Sequence, residues 1–176
     1  VDLLHLQIHK QMNKQARLDK VFINIAKEVS QLSHCVRSKV GAVLVKDGNL
    51  ISFGYNGTPA GMDNCCEDKI YIASDVGGWI DIDTIDETYP HTDDIGRYKL
   101  GTKQHTIHAE VNAILKAAKS GNSVDGSTLY LTLSPCIECS KLILQSGVKK
   151  VVYLENYRDT KGIEFLKQFI EIEKYE

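Results

Sequence analysis

Residues 108–139 read HAEVNAILKAAKSGNSVDGSTLYLTLSPCIEC, and they predict a helix, a strand and the start of a second helix. Val111, Ile114, Leu115 and Ala118 recur at helical spacing, with Gly121 where a C-terminal cap belongs. Ser127–Leu133 reads as a strand. Pro135–Ser146 reads as a helix, with its proline in the first turn and Gly147 after its end. The chemistry-bearing residues stand at the two helix starts. Cys136 and Cys139 are three apart, which puts them one turn apart on the same side of a helix. His108 and Glu110 are two apart and do not share a helix face, so they converge only on a point beyond the helix N-terminus. A helix N-terminus also favours thiolate at Cys136. Two thiolates and one imidazole supply three zinc ligands and leave a fourth position open, the pattern of a catalytic rather than a structural site. Glu110 is then the candidate proton carrier. A Cys-x-x-Cys alone fits a structural zinc or a redox pair equally well, and His-Ala-Glu alone means nothing. The pair, each at a helix start and separated by one helix and one strand, is specific.

Upstream, Leu18–Leu32 carries Val21, Phe22, Ile25, Ala26, Val29 and Leu32 as a helical stripe for core packing. Val40–Val45 and Leu50–Tyr55 read as two strands of a hairpin turning at Asp47-Gly48. The segment Gly54–Gly61 holds three glycines and a proline. It is either an ordinary turn or a loop that lets backbone approach a ligand. Residues 62–106 show no long periodic segment and read as an inserted flap beside the site. Their acidic residues, Asp75, Asp81, Asp83, Asp86, Glu87, Asp93 and Asp94 among them, form a solvated face or help hold a divalent cation. Downstream, Val148–Leu154 is a strand, Thr160–Gln168 a short helix and Phe169–Tyr175 an edge strand. Strands alternating with helices imply a partly parallel sheet. The expected fold is therefore α/β, a three-layer α/β/α mixed sheet flanked by helices, in one domain over residues 1–176. Both helix N-termini would lie at the carboxyl ends of the central strands.

Composition narrows the function. The chain has 176 residues and is 43% hydrophobic, enough for one cored domain. A net charge of -2 and a pI near 6.3 give no basic field for nucleic acid or a membrane surface. No apolar run approaches a membrane span, and Leu3–Ile8 is broken by His5 and Gln7, unlike a signal peptide. Five cysteines, two of them assigned to metal, favour a reducing cytoplasmic setting over a disulfide framework.

The pairing of His-x-Glu with Pro-Cys-x-x-Cys is the signature of zinc-dependent nucleobase deaminases. Further pieces sharpen the likeness: Lys39-Val40-Gly41-Ala42-Val43, Gly54-Tyr55-Asn56-Gly57-Thr58-Pro59-Ala60-Gly61, Asn64-Cys65-Cys66, Tyr130–Cys136 and Gln145–Lys150. In this order, over roughly residues 20–157, the chain resembles the deoxycytidylate (dCMP) deaminases of the cytidine deaminase superfamily, in particular the T-even phage type. The resemblance implies a catalytic Zn2+ on His108, Cys136 and Cys139, with Glu110 as proton shuttle. It implies that Asn56 binds the sugar and that Val40–Ala42 and Ser134 line the base pocket. Ser38, Lys39 and Lys119 are the candidates for the 5′-phosphate, the two lysines being equally readable as plain surface residues. It also implies a homohexamer in the cytoplasm, the host cytoplasm if phage-encoded. Such a hexamer is activated by dCTP with Mg2+ and inhibited by dTTP, the effector binding near Tyr55, Asn56, Gly57 and Gly61. A second, structural zinc would use Cys35 and Cys65 with His91 or His105. Thr106 stands where that site's acidic ligand is expected, and two buried, inert thiols are the other reading.

The reaction expected is conversion of dCMP to dUMP and ammonia, which supplies thymidylate synthesis. Another substrate of the same chemistry, such as dCTP, a nucleoside or adenosine in tRNA, is the near alternative, and the lack of basic character argues against tRNA. A zinc-stabilised nucleotide-binding regulator without turnover is the distant one. Glu110 argues against it, since a structural site needs no acid–base residue.

Overall fold

Strand β1 (Gly41–Lys46) is buried on both faces because alternate residues feed two different cores. Ala42 and Leu44 enter one core, Val43 and Val45 the other. A central strand covered by helices on both sides needs such a continuous apolar run. The structure, a computed structural model, describes residues 3–72, 85 and 87–176, and side chains from residue 14 onward. Strand β2 (Asn49–Tyr55) returns antiparallel to β1 through Asp47 and Gly48, both at positive φ as a primed hairpin turn requires. On the other side of β1 lies β6 (Thr128–Leu133), antiparallel to it. Strands β7 (Lys150–Glu155) and β8 (Glu171–Lys174) follow in parallel, giving the order β2-β1-β6-β7-β8. The mixed sheet and its flanking helices agree with the fold class expected from sequence.

Helix α1 (Leu3–Ser30) covers one face, packing Phe22, Ile23, Ala26 and Val29 on Val43, Val45, Tyr130 and Val152. It is also fixed by a buried polar contact: the Tyr130 hydroxyl donates to Asp19 Oδ1 at 2.6 Å, and Gln15 donates to the same oxygen at 2.8 Å. The helix begins well before Leu18, and its inward face is rotated from the expected stripe. Ile23 is fully buried, whereas Val21 and Leu32 are about half exposed. Helices α2 (Ala109–Lys119), α3 (Ile137–Gln145) and α4 (Lys161–Leu166) cover the other face. Among the described residues, no helix is long and apolar enough to cross a membrane.

Helix α2 also differs from its expected stripe. Leu115 is exposed, and the residues fully buried under the helix are Ala109, Ala113 and Ala117. Small side chains let the helix lie close on β2, where Gly54 faces the backbone of Ala109 and Ala113. The glycine of the expected ligand loop thus serves helix-to-strand contact. A Cβ at position 54 would be driven into the Ala109 carbonyl and the Ala113 nitrogen. Gly54→Ala should therefore destabilise the fold by about 1–3 kcal/mol, the usual cost of overpacking, read as a lower Tm in thermal unfolding. An unchanged Tm would mean that α2 is not held this tightly.

The insertion contains a small antiparallel sheet that the sequence reading did not find. It is built from β3 (Glu67–Tyr71), β4 (His91–Thr92) and β5 (Arg97–Thr102) in the order β3-β5-β4. Asp93 pins it, pairing with Lys69 at 2.5 Å and accepting from the Tyr71 hydroxyl at 3.0 Å. Lys69 and the backbone N–H groups of Ile95 and Gly96 hold the Asp93 carboxyl down to about 2. Asp93 is thereby a structural residue of this sheet. Asp75, Asp81, Asp83 and Asp86 lie outside the described residues.

Candidate metal centre and substrate cavity

The first turns of α2 and α3 meet at the edge of the sheet where β6 ends. His108 and Cys136 are the N-cap residues of the two helices, both with extended backbone, so their side chains point past the helix ends. Cys139 follows one turn into α3 and is buried. His108 Nδ1 lies 3.3 Å from Cys139 Sγ and 3.6 Å from Cys136 Sγ, and the three donor atoms all fall within 4.8 Å of one another. Ligands on a tetrahedral zinc with Zn–S near 2.3 Å and Zn–N near 2.0 Å stand roughly 3.5 Å apart, so this donor set fits that ion. Among the described residues it is the one convergent group of His, Cys and acidic donors.

Close packing fixes the second helix start as well. A Cβ on Gly162, in α4, would run into the Pro135 carbonyl and come within 2.8 Å of the Cys136 carbonyl carbon. The lack of a side chain there lets α4 back the Pro135–Cys136 corner. The electrostatics suit metal binding. Hydrogen bonds from Cys139 and His108 hold the Cys136 thiol down to about 3, so it is a ready thiolate. The same contact with Cys136, together with burial, pushes Cys139 up, and its proton must leave when a metal binds. His108 is raised, chiefly by its contact with Cys136. Glu110, 4% exposed, is raised by burial, and His108 partly offsets the effect. A carboxyl that easily gains a proton beside a three-donor cluster can accept a proton and return it.

A cavity of about 580 Å³, within the range of small-molecule sites, opens beside this group, with Cys139 buried behind its lining. His108, Glu110, Cys136, Asn56, Ser38, Val40 and Ser134 all line it. Asn56 spans its wall: Oδ1 accepts from Val40 N at 2.8 Å, and Nδ2 donates to the Ser38 carbonyl at 2.8 Å. Ser134 accepts from Tyr157 N at 2.7 Å, joining the end of β6 to the segment after β7. Asn56→Ala would strand the Val40 N–H and the Ser38 carbonyl and loosen that wall. It should cost about 1–3 kcal/mol of stability and raise KM for any ligand of the cavity, both measurable on one purified variant. A variant with native Tm and KM would show that the wall holds without it.

Other expected site residues are placed differently. Ala42 is fully buried in the core and does not reach the cavity. Lys39 is exposed and lies outside the cavity lining. Lys119 ends α2, eleven residues beyond His108, roughly 16 Å along the helix at 1.5 Å per residue. Tyr55 is tied to α2, its carbonyl accepting from Asn112 Nδ2 at 2.9 Å. Gly57 pairs with Ile107 in a short bridge, and Gly61 turns at φ 90°.

The proposed second zinc set does not assemble. Cys35 is disulfide-bonded to Cys66, a pairing that the cysteine count had argued against. Cys65 is exposed, with its thiol on the Glu67 carbonyl at 3.2 Å. His91 stacks on Tyr98 within the small sheet, and His105 is exposed. Neighbouring residues face opposite ways, so Cys66 turns toward Cys35 while Cys65 turns away.

The cavity also recruits residues that sequence reading missed: Arg37, Glu67, Thr102, Lys103, Tyr157 and Arg158. Tyr157 and Arg158 follow directly on β7, and ligands of open α/β sheets gather at such carboxyl strand ends. That rule could have pointed to them.

Comparison with known proteins shows the family. The family model described as the cytidine and deoxycytidylate deaminase zinc-binding region matches residues 16–155. The chain is 41% identical over 156 residues to the deoxycytidylate deaminase of Enterobacteria phage T4, covering 79% of this chain and 78% of that protein. The deoxycytidylate deaminase of Saccharomyces cerevisiae is 33% identical over 150 residues, or 85% of this chain and 41% of the yeast protein. Among solved structures, the dCMP deaminase of cyanophage S-TIM5 in complex with dCMP and dUMP superposes with a TM-score of 0.70 at 40% identity. That match covers 90% of this chain and 97% of the cyanophage one.

Proposed function

Since this chain belongs to the cytidine and deoxycytidylate deaminase family, we propose that it hydrolyses dCMP to dUMP and ammonia. The observation that carries this reading is the convergence of His108, Cys136 and Cys139 beside buried Glu110, with His108, Cys136 and Glu110 lining one cavity. His108, Cys136 and Cys139 would hold the zinc ion. When bound, zinc supplies the Lewis acidity that makes water a nucleophile near neutral pH.

The chain's own residues do the rest. The cavity wall made by Ser38, Val40 and Asn56 orients the nucleotide with its base toward Glu110. Glu110 takes a proton from the attacking water and gives it to the ring nitrogen beside the reacting carbon. It then takes the second proton and hands it to the amine, which leaves as ammonia while the carbon keeps the oxygen as a carbonyl. Burial raises the Glu110 carboxyl, which favours its taking up a proton and passing it on.

The proposal extends to control, on the strength of family resemblance. In it, dCTP with Mg2+ activates and dTTP inhibits at a site near Tyr55–Gly61, within a homohexamer. The test is ammonia release from dCMP, dCTP, cytidine and deoxycytidine side by side, each with and without the two effectors. Preferred turnover of dCMP supports the reading. Faster turnover of dCTP would move the substrate to the triphosphate, and none on any of the four would overturn the assignment.

A further inference from the structure

We infer that Ser33, a buried residue outside the cavity lining, is a positioning residue that aims the Asn56 side chain at the nucleotide. This rests on the deaminase reading above, in which the wall of Ser38, Val40 and Asn56 orients the substrate. The Ser33 hydroxyl donates to the Asn56 carbonyl at 2.8 Å, 23 residues away in sequence, and accepts from the Cys35 N–H at 3.2 Å. Both capacities of the hydroxyl are thereby used. Ser33 is 2% exposed, so bulk water does not stand in for either bond.

The other bonds of Asn56 stay within the wall. Its side chain joins the Val40 N–H and the Ser38 carbonyl, and its backbone N–H donates to the Val40 carbonyl at 3.2 Å. These three bonds set Asn56 relative to residues 38–40, which are wall themselves. They do not fix where the wall stands relative to the metal centre. The Asn56–Gly57 peptide does that. Its N–H donates to the Ile107 carbonyl at 3.1 Å, one residue before His108, and its carbonyl takes the Ser33 hydroxyl. Glycine at position 57 gives that peptide little steric resistance to turning. Held only through its N–H, the peptide could rock, and the Asn56 side chain would rock with it.

Ser33 is a firm point from which to hold it. It follows α1 directly, and its N–H closes a turn on the Ser30 carbonyl at 3.0 Å. The end of α1 lies hard against the start of β1, because Gly41 has no side chain. A Cβ there would run into the Ala26 carbonyl and the Ser30 nitrogen. Upstream, Phe22, Ile23, Ala26 and Val29 anchor the helix on the sheet. The packing of α1 is thus passed through one hydroxyl to the residue that faces the nucleotide. Alanine at position 33 would leave a buried carbonyl and a buried N–H without that partner.

The test is a double-mutant cycle. For wild type, Ser33→Ala, Asn56→Ala and the double variant, kcat and KM on dCMP are measured well below Tm, with zinc content and Tm beside them. Ser33→Ala should raise KM by about three- to tenfold, the worth of one hydrogen bond. Its kcat should stay within about twofold of wild type, because Asn56 contacts a part of the substrate that does not react. Zinc content should not change. In the Asn56→Ala background, loss of the Ser33 hydroxyl should raise KM no further, since the side chain it aims is already gone. A residue that served stability alone would behave differently. Its loss would lower Tm and scale kcat with the folded fraction, leaving KM where it was. That pattern, or a KM rise that is fully additive in the double variant, would overturn the positioning role while the deaminase reading stands. No turnover of dCMP by wild type would overturn both.

Discussion

Glu110→Gln is expected to lower kcat on dCMP by about 10²–10⁴-fold, the range usual for loss of a positioned acid–base group. Glutamine keeps the size of the side chain in a site only 4% exposed, so packing of α2 on β2 should survive. It cannot accept and return a proton. The substitution leaves His108, Cys136 and Cys139 in place, so zinc content should stay at the wild-type value. The paired readout separates chemistry from folding: ammonia release disappears while the metal stays. Unchanged turnover would remove Glu110 from the mechanism. Loss of metal along with activity would make its role structural.

Cys139→Ser should abolish activity by a different route. Cys139 is 3% exposed, and its thiol faces both Cys136 and His108. Serine offers a hard, protonated oxygen where a thiolate is needed, which leaves two effective ligands. The predicted result is protein with less than a tenth of wild-type zinc and no detectable ammonia release. A second effect follows by linkage. An ion that binds only the folded chain stabilises it by about 4 kcal/mol at a thousandfold excess over Kd. A strong chelator should therefore lower the Tm of wild type and leave that of Cys139→Ser unmoved. A chelator-sensitive Tm in the variant would mean that metal sits elsewhere.

The parts of this molecule that were legible in sequence are those set by local spacing. His108 with Glu110, and Cys136 with Cys139, could be read because a helix start dictates where such residues point. The hairpin and the strand–helix alternation from Thr128 to Lys174 were readable because their apolar residues recur at a fixed period. Features that depend on which surfaces meet were not. The strands Glu67–Tyr71 and Arg97–Thr102 are short and rich in charge, with neither face fully buried, so they leave no alternating pattern. Spacing could not decide whether Cys65 or Cys66 turns toward Cys35. Sequence spacing could not show that Arg37 and Arg158 line the cavity while Lys39 and Lys119 do not. The buried stripe of α2 was misread for a related reason: its depth is set by the missing side chain of Gly54 on another element.

The most direct test of the central claim is a titration. Protein stripped of metal by chelation is returned to buffer and given zinc in steps, and dUMP formation from dCMP is followed at each step. With His108, Cys136 and Cys139 as the one convergent donor group among the described residues, activity should rise linearly and level off at one equivalent per chain. Full activity in the metal-free protein, or none after one equivalent is bound, would contradict the account.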